Sequence, residues 1–222
     1  IFISDDRGRT WRRAKTPTSA TLTALYFHDA RHGWAVGHDA AILRSEDGGE
    51  TWQQTHYAPQ EQKPLLDVWF GNELKGYAMG AYGSFYETAD GGKTWRPRKI
   101  FNNDMHINSL ARAADGKLFI AGEAGTLQRS RDGGQTWEAL VSPYQGSFFG
   151  VLALKDRGVL VYGLRGRIFH STDSGQTWQP VETGSQASLM GGRVMEDGLV
   201  GRGGQDGMIL VSRDDGKSFS LQ

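Results

Sequence analysis

The chain has 222 residues, with 25 Lys+Arg against 25 Asp+Glu, no cysteine, 31 glycines and only 6 prolines. The charge balance excludes a global electrostatic footprint for nucleic acid or for an anionic membrane. The missing cysteines exclude disulfides, thiolate metal sites and cysteine nucleophiles, and no apolar run approaches the roughly 20 residues of a membrane helix.

Taken in chain order, residues 1–3 read as a strand that aligns with the third strand of each later unit, and a polar turn over 4–11 follows. The first full unit then offers short apolar or β-branched runs at 22–27, 34–36, 41–44 and from 51 onward. The second repeats them at 66–70, 76–79, 84–87 and 94–96, and the third at 107–112, 117–121, 126–129 and 136–140. The fourth has 149–154, 158–162, 167–170 and 177–181, and the fifth 189–195, 198–200, 208–211 and a final stub. Runs of this length bounded by Gly, Asp and Asn are strand and hairpin signals, and no stretch sustains a helical period. The middle turn of each unit reads Gly-x-x-Gly, at 80–83, 122–125, 163–166 and 204–207, with Ala40 at the second glycine of the first copy.

The turn after each third strand carries a motif, Ser/Thr-x-Asp-x-Gly-x-Thr/Ser-Trp/Phe. It begins at Ser4, Ser45, Thr88, Ser130, Ser171 and Ser212, with a period of 41 to 43 residues. Four strands per unit of about 40 residues predict an all-β fold, a β-propeller of four-stranded antiparallel blades. The chain holds about five and a half such blades and reads as one propeller domain over 1–222. Because an open ring would expose two sheet edges, further residues are expected on both sides of the segment.

The motif aspartates are Asp6, Asp47, Asp90, Asp132, Asp173 and Asp214. Each can accept hydrogen bonds from its own turn, and the following glycine permits a positive φ. Trp11, Trp52, Trp95, Trp137 and Trp178 are expected to open the outer strands and bury their rings between neighbouring units. The motif is therefore read as a structural staple. Calcium would demand more oxygen ligands than the turn supplies, and no histidine pair has metal-ligand spacing, so no metal or cofactor is expected.

The motif resembles the Asp-box, or BNR, repeat of sialidases and several non-enzymatic propellers. The longer units, GWAVGHDAAILRSEDGGETW and GYAMGAYGSFYETADGGKTW, resemble the Ycf48 family of photosystem II stability and assembly factors, over essentially the whole chain. That resemblance implies a seven-bladed propeller exported to the periplasm or a thylakoid lumen. It also implies a non-catalytic scaffold for a membrane protein complex or its assembly intermediates. The partner surface is expected on the face of the Gly-x-x-Gly turns and inter-blade loops, since loops carry function more often than scaffolds. His38, Asp39, Tyr82, Glu123, Arg165, Arg167, Arg193 and Arg202 are the candidates, the four arginines forming a patch for an acidic partner. The competing reading is a sialidase-like glycoside hydrolase or carbohydrate-binding propeller. Against the hydrolase, the Arg-Ile-Pro signature is absent, and a fold shared with enzymes does not carry their chemistry.

Overall fold

The computed structural model describes every residue except Asp156 and residues 196–199, together with the backbone but not the side chain of Arg202. The described residues form two compact units, 1–104 and 105–222. In the first unit a two-stranded ribbon, β1 (Phe2–Ile3) with β2 (Arg12–Arg13), precedes two four-stranded sheets. One sheet is β3 (Leu22–Phe27), β4 (Gly33–Gly37), β5 (Ile42–Ser45) and β6 (Gln53–His56). The other is β7 (Leu65–Phe70), β8 (Gly76–Gly80), β9 (Phe85–Thr88) and β10 (Arg96–Pro97).

The second unit holds three more sheets of the same kind. They are β11 (Ile107–Arg112), β12 (Leu118–Gly122), β13 (Leu127–Ser130) and β14 (Glu138–Ala139), then β15 (Phe148–Ala153), β16 (Val159–Gly163), β17 (Ile168–Ser171) and β18 (Gln179–Val181). The last is β19 (Leu189–Val194), β20 (Val200–Gly204), β21 (Ile209–Ser212) and β22 (Ser220–Leu221). Each sheet is an antiparallel meander in sequence order, the blade of a propeller. The expected strand at 198–200 falls partly outside the described residues.

The second strand of each blade explains the packing. All five residues of β4, β8, β12 and β16 are buried. Successive side chains of a strand point to opposite faces, so such a strand must serve two cores. Val159 and Val161 of β16 pack with Phe119 and Leu127 of the preceding blade and with Phe148 of their own. Leu160 and Tyr162 pack instead with Leu189, Val200 and Leu210 of the following blade. In the first unit Trp34, Val36 and Ile42 meet Leu65, Val68 and Phe70 in the same way. Hydrophobic runs without alternation, such as Val-Leu-Val-Tyr, are thus the signature of a strand covered on both faces.

Two expectations are corrected here. The outer strands begin one residue after the motif tryptophan: Trp52, Trp95 and Trp178 precede β6, β10 and β18 instead of opening them. The preceding threonine is still tied to its motif aspartate, so that backbone is held in the turn. The rings also differ in burial. Trp52 and Trp95 are buried, Trp137 and Trp178 partly so, but Trp11 is 61% exposed. Trp52 shares a buried cluster with Ala14, Ala35 and Leu43, against which Ile1 and Ile3 pack, and the Trp95 indole donates to Thr55 Oγ1 of the preceding blade. Trp11 makes its indole hydrogen bond to its own Gly8 carbonyl.

Candidate functional site

Each motif turn closes through one repeated circuit. The Ser45 hydroxyl donates to Asp47 Oδ1 at 2.8 Å and accepts from Gly49 N–H at 2.9 Å. Asp47 Oδ1 accepts from Thr51 N–H at 3.0 Å, while its Oδ2 accepts the Thr51 hydroxyl. The same contacts recur at Asp6, Asp90, Asp132, Asp173 and Asp214. Two successive residues adopt positive φ, including the non-glycine Arg7, Ser174 and Asp215. The turn also binds its neighbour hairpin, with Gly48 N–H donating to Arg31 O and Gly91 N–H to Leu74 O. Each aspartate is thereby saturated by its own turn. Among the described residues, no three His, Asp or Glu side chains converge to hold a metal ion.

These contacts set an acid dependence. Hydrogen bonds from the Thr51 hydroxyl, then its N–H, then Ser45 lower Asp47 from 3.8 to about 2. Those from Ser218 act likewise on Asp214, which also falls to about 2. A carboxyl whose folded value is depressed contributes stability above its unfolded value and loses it as pH falls through the folded one. The urea midpoint should therefore drop as pH falls from about 4 to about 2, and Asp47→Asn should flatten part of that decline. A pH profile unchanged by the substitution would contradict the assignment.

The opposite end of each blade is built differently. Every Gly-x-x-Gly turn is a single 3-10 turn whose second residue is left-handed: Asp39, Tyr82, Ala124, Arg165 and Asp206, with φ of 60, 55, 49, 57 and 59°. The first glycine is extended. It is required because a Cβ there would overlap a backbone carbonyl of the inner strand's approach, Thr21 O at Gly37 and Pro64 O at Gly80. The next N–H donates to that same carbonyl, as in His38 to Thr21 O at 2.9 Å and Ala81 to Pro64 O at 2.9 Å. A β-bulge at the start of each inner strand creates the close approach. The apex side chain of every blade is therefore presented on a rigid, repeated support.

The candidate residues separate on this frame. His38 and Tyr82 are exposed, Asp39 half-buried. Glu123 is engaged: its Oε2 accepts from His106 N–H at 3.1 Å and lies 3.8 Å from His106 Nε2. Arg165 and Arg167 are exposed and line one groove of about 480 Å³, whose far wall is the loop 181–186. Neither forms an ion pair among the described residues. Thr183 fixes that loop by donating to Gly166 O at 3.2 Å and Ser185 O at 3.0 Å.

Arg193 does not join them. Leu189↔Gly204 marks the turn end of the last blade and Val194↔Val200 the motif end, and Arg193 pairs opposite Gly201 beside the latter. Arg202 pairs opposite Gly192, and its side chain lies outside the described residues. Of the four arginines, Arg165 and Arg167 share one groove, Arg193 stands toward the other end of its blade, and the Arg202 side chain lies outside the described residues. Proximity in sequence had grouped residues that the pleat and the length of the strand set apart.

The family model described as photosynthesis system II assembly factor YCF48 matches residues 3–65 and 57–200. The photosystem II assembly protein Ycf48 of Thermosynechococcus vestitus is 42% identical over 135 residues, covering 59% of this chain and 38% of its own length. The assembly lipoprotein Ycf48 of Prochlorococcus marinus is 39% identical over 142 residues, covering 62% of this chain and 42% of its own. The chain thus spans about two fifths of the curated relatives it matches. Among solved structures, YCF48 bound to D1 peptide superposes with a TM-score of 0.72 at 22% identity, over 93% of this chain and 70% of that one. A GH74 xyloglucanase of Xanthomonas campestris gives 0.74 at 16% identity, over 97% of this chain and 42% of that one. At such identities these likenesses establish the fold, a β-propeller, and not the activity. Matched by the family model over most of its length, the chain belongs to the Ycf48 family of photosystem II assembly factors.

Proposed function

We propose that this chain is the peptide-reading part of a non-catalytic scaffold that assists assembly or stability of a membrane protein complex outside the cytoplasm. The observation that carries the reading is the groove of Arg165 and Arg167: two guanidinium groups without an ion pair among the described residues, Arg165 on the left-handed apex between Gly163 and Gly166 and Arg167 in the extended backbone that follows. Guanidinium forks suit the carboxylates of an acidic segment. The solved YCF48 that carries a D1 peptide and the relatives named lipoproteins support the partner class and the location. Among the described residues no helix is long and apolar enough to cross a membrane.

The test is affinity capture from detergent-solubilised membranes of the source cell. The wild-type protein should retain a membrane complex, and Arg165→Glu/Arg167→Glu should lose about tenfold or more of it. Arg193→Glu, at the other end of its strand, should capture as wild type does. A double variant that keeps its circular dichroism and its capture would overturn the reading.

A further inference from the structure

The seams between the first and second blades, the third and fourth, and the fourth and fifth are built on one plan. A residue of the second strand and the residue opposite it on the third meet the motif turn of the next blade. Trp34 and Arg44 pair across β4 and β5. The Trp34 indole and Arg44 Nε both donate to Gly91 O, and a Cβ on Gly92 would overlap the indole. Phe119 and Arg129 pair across β12 and β13. Arg129 Nη1 donates to Ser174 O, and a Cβ on Gly175 would lie 3.3 Å from the Phe119 ring. Leu160 and His170 hold the same places on β16 and β17, and a Cβ on Gly216 would overlap Leu160. Opposed side chains of an antiparallel pair share one face. His170 therefore stands, with Leu160, on the face that meets Asp215 and Gly216 of the last blade.

Both partners change at this seam. His170 is 8% exposed, and it puts a group that titrates in the neutral range where the other seams have a permanent cation. Asp215 stands where they have Gly91 and Ser174, and its Oδ1 is buried without a hydrogen-bond partner. Among the described residues no hydrogen bond or ion pair joins His170 to this turn. Its charged form would thus be buried without the contact that each arginine makes. On its own sheet His170 lies between Leu160 and Gln179, neither of them charged. Across the seam the turn presents Asp214, Asp215 and Lys217. Asp214 is committed to Ser212 and Ser218 of its own turn. Burial, the largest influence, holds the imidazole below its ordinary 6.5 against the pull of Asp215, while Lys217 adds to the lowering and Asp214 opposes it.

We propose that the seam between the fourth and fifth blades is an acid-sensitive joint, in which protonation of His170 loosens the last blade from its neighbour while the seams closed by Arg44 and Arg129 hold. The sign follows from linkage. The folded chain binds this proton more weakly than the unfolded chain does. Stability present above 6.5 is therefore lost as pH falls from 6.5 through the folded value. The motif aspartates titrate well below that window, Asp214 at about 2.

NMR titration of the histidine Cε1–H signals tests the proposal on the whole chain, together with hydrogen exchange between about pH 7.5 and about pH 5, a window spanning the ordinary imidazole value. His170 should titrate below 6.5. Protection, measured against each amide's intrinsic rate, should be lost in β17, β21 and residues 212–219 as pH falls, and be kept in β5 and β13. His170→Arg rebuilds the Arg44 arrangement, including the glutamine opposite it (Gln53 there, Gln179 here), and should abolish that loss. Asp215→Ser installs the residue that already stands at φ 61° as Ser174. It removes the nearest opposing charge, so the His170 midpoint and the loss of protection should both move to lower pH. His106→Gln, at the other histidine of this unit, should leave the loss as in wild type. The proposal is overturned if His170 titrates at or above 6.5, or if β21 is equally protected at both ends of the window. Acid loss that persists unchanged in His170→Arg would overturn it as well.

Discussion

Replacing Gly125 by alanine should remove about 3 kcal/mol or more of stability from the second unit, among the largest single effects available in this chain. Gly125 stands at φ +74°, and a Cβ built there overlaps the Tyr144 carbonyl oxygen and comes within 2.9 Å of Ser142 Oγ. Its N–H donates to Gly146 O at 2.9 Å, so the backbone cannot turn away without losing that bond. The left-handed region alone costs a non-glycine residue about 1–2 kcal/mol. Displacement of an inter-blade loop adds to that.

The first blade supplies the control. Ala40 occupies the same place, with φ 51° and no exposure. The chain passes it differently: the 3-10 turn Pro59–Glu61 follows, and Ala40 N–H donates to Lys63 O at 3.1 Å. Ala40→Gly should be within about 1 kcal/mol of neutral, because relief of the left-handed strain is set against a lost buried methyl and a freer unfolded chain. Urea unfolding of both variants decides the matter. A Gly125→Ala protein with the wild-type midpoint would show that the turn is soft and its glycine incidental.

Trp34→Ala should cost the first unit about 3–5 kcal/mol. The ring is 1% exposed and stacks on Phe70 of the next blade with centroids 3.5 Å apart and planes 14° from parallel. Its indole N–H donates at 3.0 Å to the carbonyl of Gly91 in the next blade's motif turn. Arg44 Nε donates to that same oxygen at 2.7 Å. One side chain thus joins the hydrophobic seam to the turn that closes the neighbouring blade. Trp34→Phe keeps most of the stack and leaves Gly91 O to Arg44, so its cost should be nearer 1 kcal/mol. Hydrogen exchange in β4 and β7 provides the local readout. Equal losses from the two substitutions would mean that the indole hydrogen bond, and not the ring's area, joins the blades.

The strand order and the place of each motif turn could be read from the sequence because both rest on local chemistry. Asp47, Thr51 and Ser45 satisfy one another within seven residues, and the positive φ of Gly49 needs only the absence of a Cβ. Period and composition then repeat that information along the chain. The buried runs Gly-Trp-Ala-Val and Val-Leu-Val-Tyr were legible as strands for the same reason, since a strand covered on both faces has no polar side to show.

What required the tertiary structure is everything set by two segments distant along the chain. The glycines at 37 and 80 are small because an inner-strand carbonyl crosses them, which no local pattern announces. The left-handed apices at Tyr82 and Arg165 carry side chains that propensity would not place there. Arg165 and Arg167 share a groove because a turn and a loop meet, whereas Arg193 leaves the group through its distance along β19. The repeat determined the blade because each turn carries its own hydrogen-bond partners. The candidate surfaces were decided by contacts between loops, whose geometry depends on the packing of whole blades and not on any residue's own neighbours in sequence.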